Sequence, residues 1–265
     1  MMGEINERVL EVSKFVEDCY KAQTRAFSPW EYAFIRDLLL KNNLERVLDV
    51  GTGNGTFLHG LAKLTPGVMY EAIDADQFLI SHAKKNHELE NISFENRLFD
   101  HSYPGRNFDL ITARFAVEHM SDVAHFISEA YQRINSNGFL LVTEYYIDPM
   151  HSDSETWRAF REREHELYLK FGSRPRISLT LPGLMKEAGF SQVDSIYRHI
   201  SPSTIGAAPF YELIIGYANL YHNIEPAIFD AEFRTRIIGY CNDAVNGQAG
   251  DEDCLMVSHT TGRKG

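Results

Sequence analysis

The sequence is poor in cysteine, and its three cysteines form no motif. Cys19, Cys241 and Cys254 lie far apart, and no two of them are spaced as CxxC. An odd number of scattered cysteines excludes a disulfide framework and a zinc knuckle. We therefore expect reduced thiols in a cytoplasmic protein.

Long apolar runs are also missing. A membrane-spanning helix needs about 18 or more consecutive apolar residues, and no such run occurs. The first residues, MMGEINERVLEVSK, carry charges where a signal peptide has its apolar core. We expect a protein that is neither exported nor inserted in a membrane.

Basic residues are fewer than acidic ones. The 26 Lys and Arg residues against 37 Asp and Glu residues give a formal net charge of -11, which repels the phosphate backbone of nucleic acids. The richest basic cluster, residues 158–163, is interleaved with glutamates and predicts a solvated helix face. We therefore expect no nucleic-acid partner. We also expect no metal site, because EREHE at 162–166 distributes its side chains all round a helix.

What the sequence does have is enough apolar material for a large core. It has 265 residues, of which 44% are hydrophobic, and this predicts one domain with additions. Apolar residues recur at three- and four-residue steps from Ile5 to Cys19, and a second helical stretch follows Ser28-Pro29. Residues 1–44 are therefore predicted to form an N-terminal helical arm.

From residue 45 onward, short apolar runs alternate with helical patterns. This alternation predicts an α/β fold with a mostly parallel sheet covered by helices on both faces. Helical insertions are predicted at about 150–178 and 205–247 of the domain that spans residues 45–265. The runs that predict strands are RVLDV, MYEAID, ISFEN, FDLITA, GFLLVTE, QVDSIYRHI and CLMVSHTTG.

Three glycines two apart follow the first predicted strand, in VLDVGTGNGTF at residues 47–57. Glycine allows a positive φ and a close approach of backbone N–H groups to a ligand. A dinucleotide fold requires GxGxxG, but position 56 is Thr56, and a phosphate-binding P-loop requires a lysine that is absent here. A glycine-rich turn that serves only strand-to-helix packing is the structural alternative.

The pattern Asp49-x-Gly51-x-Gly53-x-Gly55 closely resembles the first motif of class I S-adenosylmethionine-dependent methyltransferases. The resemblance implies a Rossmann-like, seven-stranded sheet and S-adenosyl-L-methionine as cofactor, with S-adenosyl-L-homocysteine as product. It places the loop under the methionine part of the cofactor and Asp49 near its ammonium group. A cationic group needs a carboxylate, whereas a pyrophosphate is repelled by one.

The resemblance continues through residue 145 and implies further cofactor contacts. Asp74, about 20 residues after the loop, is expected to accept hydrogen bonds from the ribose hydroxyls, although an NAD site needs the same acid. Asp100 is expected to meet the adenine amino group, and Phe99 or Phe78 to pack on the ring, unless these phenylalanines are plain core. The cofactor-binding residues implied are Asp49, Gly51, Thr52, Gly53, Asn54, Gly55, Asp74, Ala75, Phe78, Phe99, Asp100 and Arg114.

The chemistry that this resemblance implies needs no covalent nucleophile, because the sulfonium carbon is already a strong electrophile. The protein must align the acceptor and exclude water, and a general base helps only an acceptor that begins protonated. His119, Glu144 and His151 are the candidate catalytic residues, with helix-start packing as the alternative for His119. GxSxG and HExxH are both missing, so serine hydrolase and zinc protease functions lack their motifs.

The N-terminal arm and the 150–180 segment are expected to cover the carboxyl edge of the sheet as a lid, which favours a small-molecule acceptor. Ordinary packing or a homodimer contact is the alternative for the aromatic residues of these segments. The residues expected in the lid or against substrate are Tyr20, Arg25, Trp30, Tyr146 and Trp157.

The sequence thus predicts a methyltransferase for a small molecule, similar to quinone-biosynthesis and natural-product enzymes. It does not specify the acceptor, or whether oxygen, nitrogen or carbon is methylated. Two alternatives stay open: a catalytically silent protein that binds S-adenosylmethionine or S-adenosylhomocysteine, and an NAD(P)-dependent oxidoreductase.

Overall fold

A seven-stranded sheet organises the computed structural model, which describes residues 2–147, 154–247 and 253–265. The strand order is β3-β2-β1-β4-β5-β7-β6. This confirms the predicted α/β class, and every predicted run contains a strand. The strands are β1 (Arg46–Val50), β2 (Met69–Asp74), β3 (Ile92–Asn96), β4 (Phe108–Arg114), β5 (Ile134–Tyr146), β6 (Ser191–Ile200) and β7 (Leu255–Arg263).

The sheet is parallel from β3 through β5, and β7 reverses the direction. Strand β1 pairs in parallel with β2 and β4, β2 with β3, and β4 with β5. The backbone N–H of Asn137 donates to the carbonyl of Lys264, while Ser258 donates to the carbonyl of Glu144, so β7 runs antiparallel to β5. The carboxyl ends of β1, β2, β4 and β5 therefore lie at one edge, where ligands bind in such sheets.

Helices precede the sheet, connect its strands and form the predicted additions after β5 and β6. They are α1 (Met2–Asn42), α2 (Thr56–Leu64), α3 (Gln77–Asn86), α4 (Val123–Arg133), α5 (Glu155–Lys170), α6 (Leu181–Glu187), α7 (Pro202–Ile205), α8 (Ala207–Ile224) and α9 (Ala231–Val245). Within these described residues, no helix is both long enough and apolar enough to cross a membrane.

Helix α1 is continuous where the sequence predicts a break. Pro29 lies inside it, although an internal proline removes one hydrogen bond and costs about 3 kcal/mol. Phe27 and Glu31, on either side of Pro29, are both buried. The burial of Phe27 offsets the lost hydrogen bond, because fully burying one large apolar side chain contributes about 1.5–3 kcal/mol, and the buried Glu31 is paired with Arg114.

The chain divides into two compact units. The first contains residues 1–29, 147–175 and 199–256, and the second contains residues 30–146, 176–198 and 257–265. The division within α1 falls after Pro29 rather than after residue 44, and the predicted separation of an arm from a cofactor domain stays a prediction.

Each unit has its own apolar core. In the second unit, alternate strand residues face opposite sides: Leu48, Ile111 and Val142 pack with α4 and α6, while Val47 and Leu141 pack with α1, α2 and α3. This alternation follows from the two-residue period of a strand. The first unit buries aromatic side chains instead, among them Trp157, Phe160, Phe210, Tyr211 and Phe229.

Candidate functional site

The glycine loop between β1 and α2 adopts a backbone that side chains would not tolerate. Gly51, Gly53 and Gly55 all have positive φ, at 74°, 61° and 78°. A Cβ on Gly51 would lie 2.5 Å from the Cβ of Ala116, a separation that real Cβ contacts do not reach. The loop is thus a close-fitting backbone cradle, as its glycine spacing predicts.

Asp74, at the end of β2, holds the loop in place. One of its carboxylate oxygens accepts the N–H of Gly53 at 2.8 Å, and the other accepts the N–H of Asp76 at 2.9 Å. The N–H of Gly51 donates to the carbonyl of Ile73 at 2.8 Å. A carboxylate has about four acceptor positions, so Asp74 retains capacity for hydroxyl donors.

Asn54 presents a polar group that the described protein does not satisfy. Its side chain is buried, and its Oδ1 accepts the N–H of Thr56 at 3.2 Å. Its Nδ2 is buried without a hydrogen-bond partner among the described residues. Buried amide donors in native proteins are nearly always paired, so this group indicates a place for a ligand acceptor.

Asp49, two residues before the first glycine of the loop, is buried, and its side chain lies beside that of Thr112 on β4. It accepts the hydroxyl proton of Thr112, its partner across β1 and β4, at 2.7 Å. Burial raises the pKa of Asp49, and the hydrogen bond from Thr112 and the charge of Arg114 oppose the shift. The void beside Asp49 and Arg114 measures about 10 Å³, so it has no room for a nucleoside.

Arg114, at the end of β4, is fully engaged inside the protein. Its Nε lies 3.1 and 3.0 Å from the two carboxylate oxygens of Glu31, and its Nη2 lies 2.8 Å from Oε2. The guanidinium carbon lies 4.2 Å from the ring centroid of Phe57 and 4.4 Å from that of Phe115. Phe115 has a φ of 50° and stacks on Tyr145 at 4.1 Å. The ion pair and the stacked rings fix the guanidinium firmly.

Glu144, near the end of β5, is fully buried and binds the turn that follows β4. Its Oε1 accepts the N–H groups of Ala116, Val117 and Glu118 at 3.1, 2.6 and 3.2 Å. Its Oε2 is buried and has no hydrogen-bond partner in the described part of the chain. Burial raises the pKa of Glu144 to about 8, although the three backbone N–H groups and Arg114 favour the charged form.

The other two predicted catalytic residues are less enclosed or outside the described residues. His119 ends a short 3-10 helix, Val117–His119, and is exposed, with its Nε2 3.5 Å from Glu118. Desolvation lowers its pKa. His151 lies outside the described residues.

The residues predicted to contact adenine follow β2 and β3 in the chain. Phe78 and Ala75 are exposed beside Asp74, at the start of α3. Asp100 accepts the N–H and the hydroxyl of Ser102 at 2.8 and 2.6 Å, and the two bonds lower the pKa of Asp100. Phe99 packs against other aromatic rings of the unit and is only partly buried.

The predicted lid residues are distributed over both units. In the first unit, Arg25 pairs with Glu212, Tyr20 is half-buried, and Trp157 is buried against other aromatic rings. In the second, Trp30 lies under Arg198, and Tyr146 is 5.9 Å from the guanidinium of Arg176. A role for these residues as a lid stays a prediction.

The structure adds site residues that the sequence reasoning missed. Glu31 holds Arg114, and Thr112 holds Asp49. His259 in β7 is buried, and its Nδ1 lies 2.8 Å from the hydroxyl of Thr143. None of these lies in the glycine motif, and only the register of the strands and the position of α1 reveal them. Among the described residues, no group of three or more side chains is placed to hold a metal ion.

Comparison with known proteins identifies relatives of this chain. A family described as a methyltransferase domain matches residues 18–195. The ubiquinone biosynthesis O-methyltransferase of Bartonella quintana is 31% identical over 137 residues, which are 48% of this chain and 50% of that protein. The chain spans about half the length of the ubiquinone-biosynthesis enzymes that it matches.

Solved structures share the fold at low sequence identity. Haemonchus contortus phosphoethanolamine N-methyltransferase 2, in complex with S-adenosyl-L-methionine, is 16% identical with a TM-score of 0.52, over 83% of this chain and 48% of that one. The YcgJ protein of Bacillus subtilis is 18% identical with a TM-score of 0.54, over 86% and 96% of the two chains. At these identities, the likeness concerns the fold.

Proposed function

This chain belongs to the class I S-adenosylmethionine-dependent methyltransferase family, and we propose that it transfers the methyl group of S-adenosylmethionine to a small-molecule acceptor by in-line displacement. The observation that carries the proposal is the glycine cradle held between Asp49 and Asp74 at the carboxyl edge of the sheet. The cofactor supplies an activated methyl group when bound. The chain binds the cofactor, orients the acceptor and excludes water.

The residues present fit this cofactor. The loop offers backbone N–H groups and the unpartnered Nδ2 of Asn54 to a carboxylate, and Asp49 offers an acid to an ammonium group. Asp74 retains acceptor capacity for the ribose hydroxyls, and Phe78 exposes an apolar ring close by. A dinucleotide is disfavoured, because Thr56 replaces the third glycine and Asp49 would face a pyrophosphate.

A small-molecule acceptor is supported by the relatives that are ubiquinone biosynthesis O-methyltransferases. No covalent nucleophile is needed. In this proposal Glu144 positions the turn after β4 rather than attacking substrate, because its Oε1 is occupied by three backbone N–H groups. His119 is exposed and remains the candidate base.

Calorimetric titration with S-adenosylmethionine, S-adenosylhomocysteine and NADH tests the cofactor. We expect the first two to bind and NADH not to bind. Asp74→Asn should weaken the binding of both by about 10- to 100-fold, because a hydrogen bond to a charged group contributes about 1.5–3 kcal/mol. Asp194→Asn, on β6, is the matched control and should bind as the wild type does. Binding of NADH alone, or full affinity in Asp74→Asn, overturns the assignment.

Transfer is tested with S-adenosylmethionine labelled at the methyl group and a panel of small hydroxyl, amine and carbon acceptors. Label in an acceptor, with Asp74→Asn reduced in proportion to its lost affinity, supports an enzyme. Cofactor binding without transfer to any acceptor of the panel favours the silent binding protein instead.

A further inference from the structure

Among the described residues, the carboxyl edge of the sheet buries more acidic side chains than basic ones. Glu31, Asp49 and Glu144 are all buried there, and Arg114 is the guanidinium that lies among them. A buried carboxylate without a cation is costly, so it either takes up a proton or binds a positive ligand. The balance of charge within this cluster therefore matters for what binds.

Arg114 is committed to one of the three acids. Its guanidinium binds both carboxylate oxygens of Glu31, and the rings of Phe57 and Phe115 cover it at 4.2 and 4.4 Å. A bidentate pair of this kind is directional, and it holds the Nε–H and one Nη2–H of Arg114 on Glu31. Burial raises the pKa of both Asp49 and Glu144 and the charge of Arg114 opposes the rise, but neither acid forms a salt bridge with Arg114.

The bonds that Asp49 and Glu144 do make are to neutral groups. Asp49 accepts from the hydroxyl of Thr112, and one oxygen of Glu144 accepts from three backbone N–H groups. The second oxygen of Glu144 is buried with no hydrogen-bond partner among the described residues. This oxygen is an independent indication that the cluster is incomplete without a proton or a ligand.

The same two acids lie against the glycine cradle. Asp49 is two residues before Gly51, and the turn that Glu144 binds includes Ala116, whose Cβ fills the space where Gly51 lacks a side chain. A charge placed in the cradle therefore acts on both acids through protein, where charges interact more strongly than in water.

We propose that Glu144 makes the site selective for the cofactor over its product, which lacks the sulfonium charge, and releases a proton when the cofactor binds. The inference rests on the proposed function. S-adenosylmethionine carries a sulfonium charge that S-adenosylhomocysteine lacks, and the two are otherwise nearly identical. On binding, the O–H bond of the Glu144 carboxylic acid would break, the proton would pass to the buffer, and the negative charge left on the carboxylate would offset the sulfonium charge.

The groups around Glu144 are consistent with a neutral acid in the free protein. The cation on β4, Arg114, is paired with Glu31, and the histidine on β7, His259, is kept neutral because burial, Arg114 and Arg198 lower its pKa to about 3. On the turn itself Glu118 adds a further buried acid. Burial raises the pKa of Glu144, which favours the acid form in the free protein.

Calorimetry in buffers of different ionisation enthalpy measures the number of protons released. At pH 7 the wild type should release more protons on binding S-adenosylmethionine than Glu144→Gln does, while the two proteins should not differ on binding S-adenosylhomocysteine. The ligands' own amino groups titrate equally in both proteins and cancel. Between pH 6.5 and 8.5 the preference for S-adenosylmethionine should rise in the wild type, about tenfold for each unit by which the ligand shifts the pKa of Glu144, and stay level in the variant.

Two further measurements keep the test decisive. Glu95→Gln, on β3 and exposed in its pair with Arg97, is the control and should release protons as the wild type does. If Glu144→Gln does not fold, infrared difference spectra of the wild type decide: the carbonyl band of a protonated carboxyl group should disappear with S-adenosylmethionine and persist with S-adenosylhomocysteine.

The outcomes separate the two proposals. Binding of S-adenosylmethionine with equal proton release in wild type and Glu144→Gln, or with an unchanged infrared band, overturns the inference and leaves the proposed function intact. Absence of binding of both ligands overturns the proposed function, and the inference with it.

Discussion

Replacing Gly51 by alanine should damage the site more than the size of one methyl group suggests. Gly51 has a φ of 74°, a conformation that L-residues rarely adopt, and its N–H donates to the carbonyl of Ile73. A Cβ at this position would lie 2.5 Å from the Cβ of Ala116. The turn that contains Ala116 is itself bound by Glu144, so it cannot retreat without breaking hydrogen bonds.

The expected cost has two parts. Placing an alanine in the left-handed region costs about 1–2 kcal/mol. Forcing an additional methyl group into a close-packed contact costs about 1–3 kcal/mol. Together they predict a loss of about 2–5 kcal/mol for Gly51→Ala, most of it expressed in the unit that contains the sheet.

Thermal denaturation and calorimetric titration with S-adenosylmethionine measure the two consequences. Gly183→Ala is the matched control, because that glycine lies in helix α6 with no atom within 4 Å of the added Cβ, and alanine is the better helix former. Adding Ala116→Gly to Gly51→Ala removes the contact but not the backbone strain. The double variant should therefore regain part of the lost stability and only part of the affinity.

The reasoning is refuted if Gly51→Ala melts and binds like Gly183→Ala, because the close contact and the strained backbone would then carry no cost. It is also refuted if the double variant is no more stable than Gly51→Ala, because the contact with Ala116 would then contribute nothing.

Three further predictions address the surroundings of the site. Glu31→Gln should cost about 3–5 kcal/mol in urea denaturation because it leaves Arg114 buried without its charge partner, whereas Glu71→Gln, in a partly exposed pair, should cost about 1 kcal/mol or less. Burial lowers the pKa of His259 from its usual 6.5 to about 3, so its contribution to stability is present above pH 6.5 and is lost as the pH falls toward 3. His259→Phe should flatten the plot of unfolding free energy against pH between these two values, and an unchanged plot would contradict the lowered pKa. In the native protein iodoacetamide should label Cys254, which is half-buried, faster than the two buried cysteines, and mass spectrometry showing the reverse order would contradict the described burial.

The sheet could be predicted from the sequence because its signals are local. The runs RVLDV, MYEAID and ISFEN coincide residue for residue with β1, β2 and β3. Each run is short and apolar and is bounded by turns or helical patterns, so neighbouring residues alone identify the strand. The glycine loop was predictable for the same reason, because all three of its glycines lie within five residues of the end of β1.

The break expected at Pro29 shows where local signals fail. Proline is a strong local signal for a helix boundary, yet α1 continues through it. The burial of Phe27 and Glu31, on either side of Pro29, is a tertiary effect. The sequence within a few residues of Pro29 does not predict that burial. The same limit applies to Glu31 itself, which is separated from Arg114 by 83 positions.

The polar side chains beneath the loop show why the site itself was only partly predictable. Along the face covered by α1, β1, β4 and β5 begin with apolar residues and end with Asp49, Thr112, Arg114 and Thr143. Each strand is apolar at its start and polar near its carboxyl end. From sequence alone, such polar residues are expected at the surface. They are instead buried and bonded to one another across strands, as Asp49 is to Thr112. Burying an acid such as Asp49 at this level has no benefit for the sheet, whereas the proposed function would use it to bind a cationic group, so this departure from the core pattern is the one that the proposal explains.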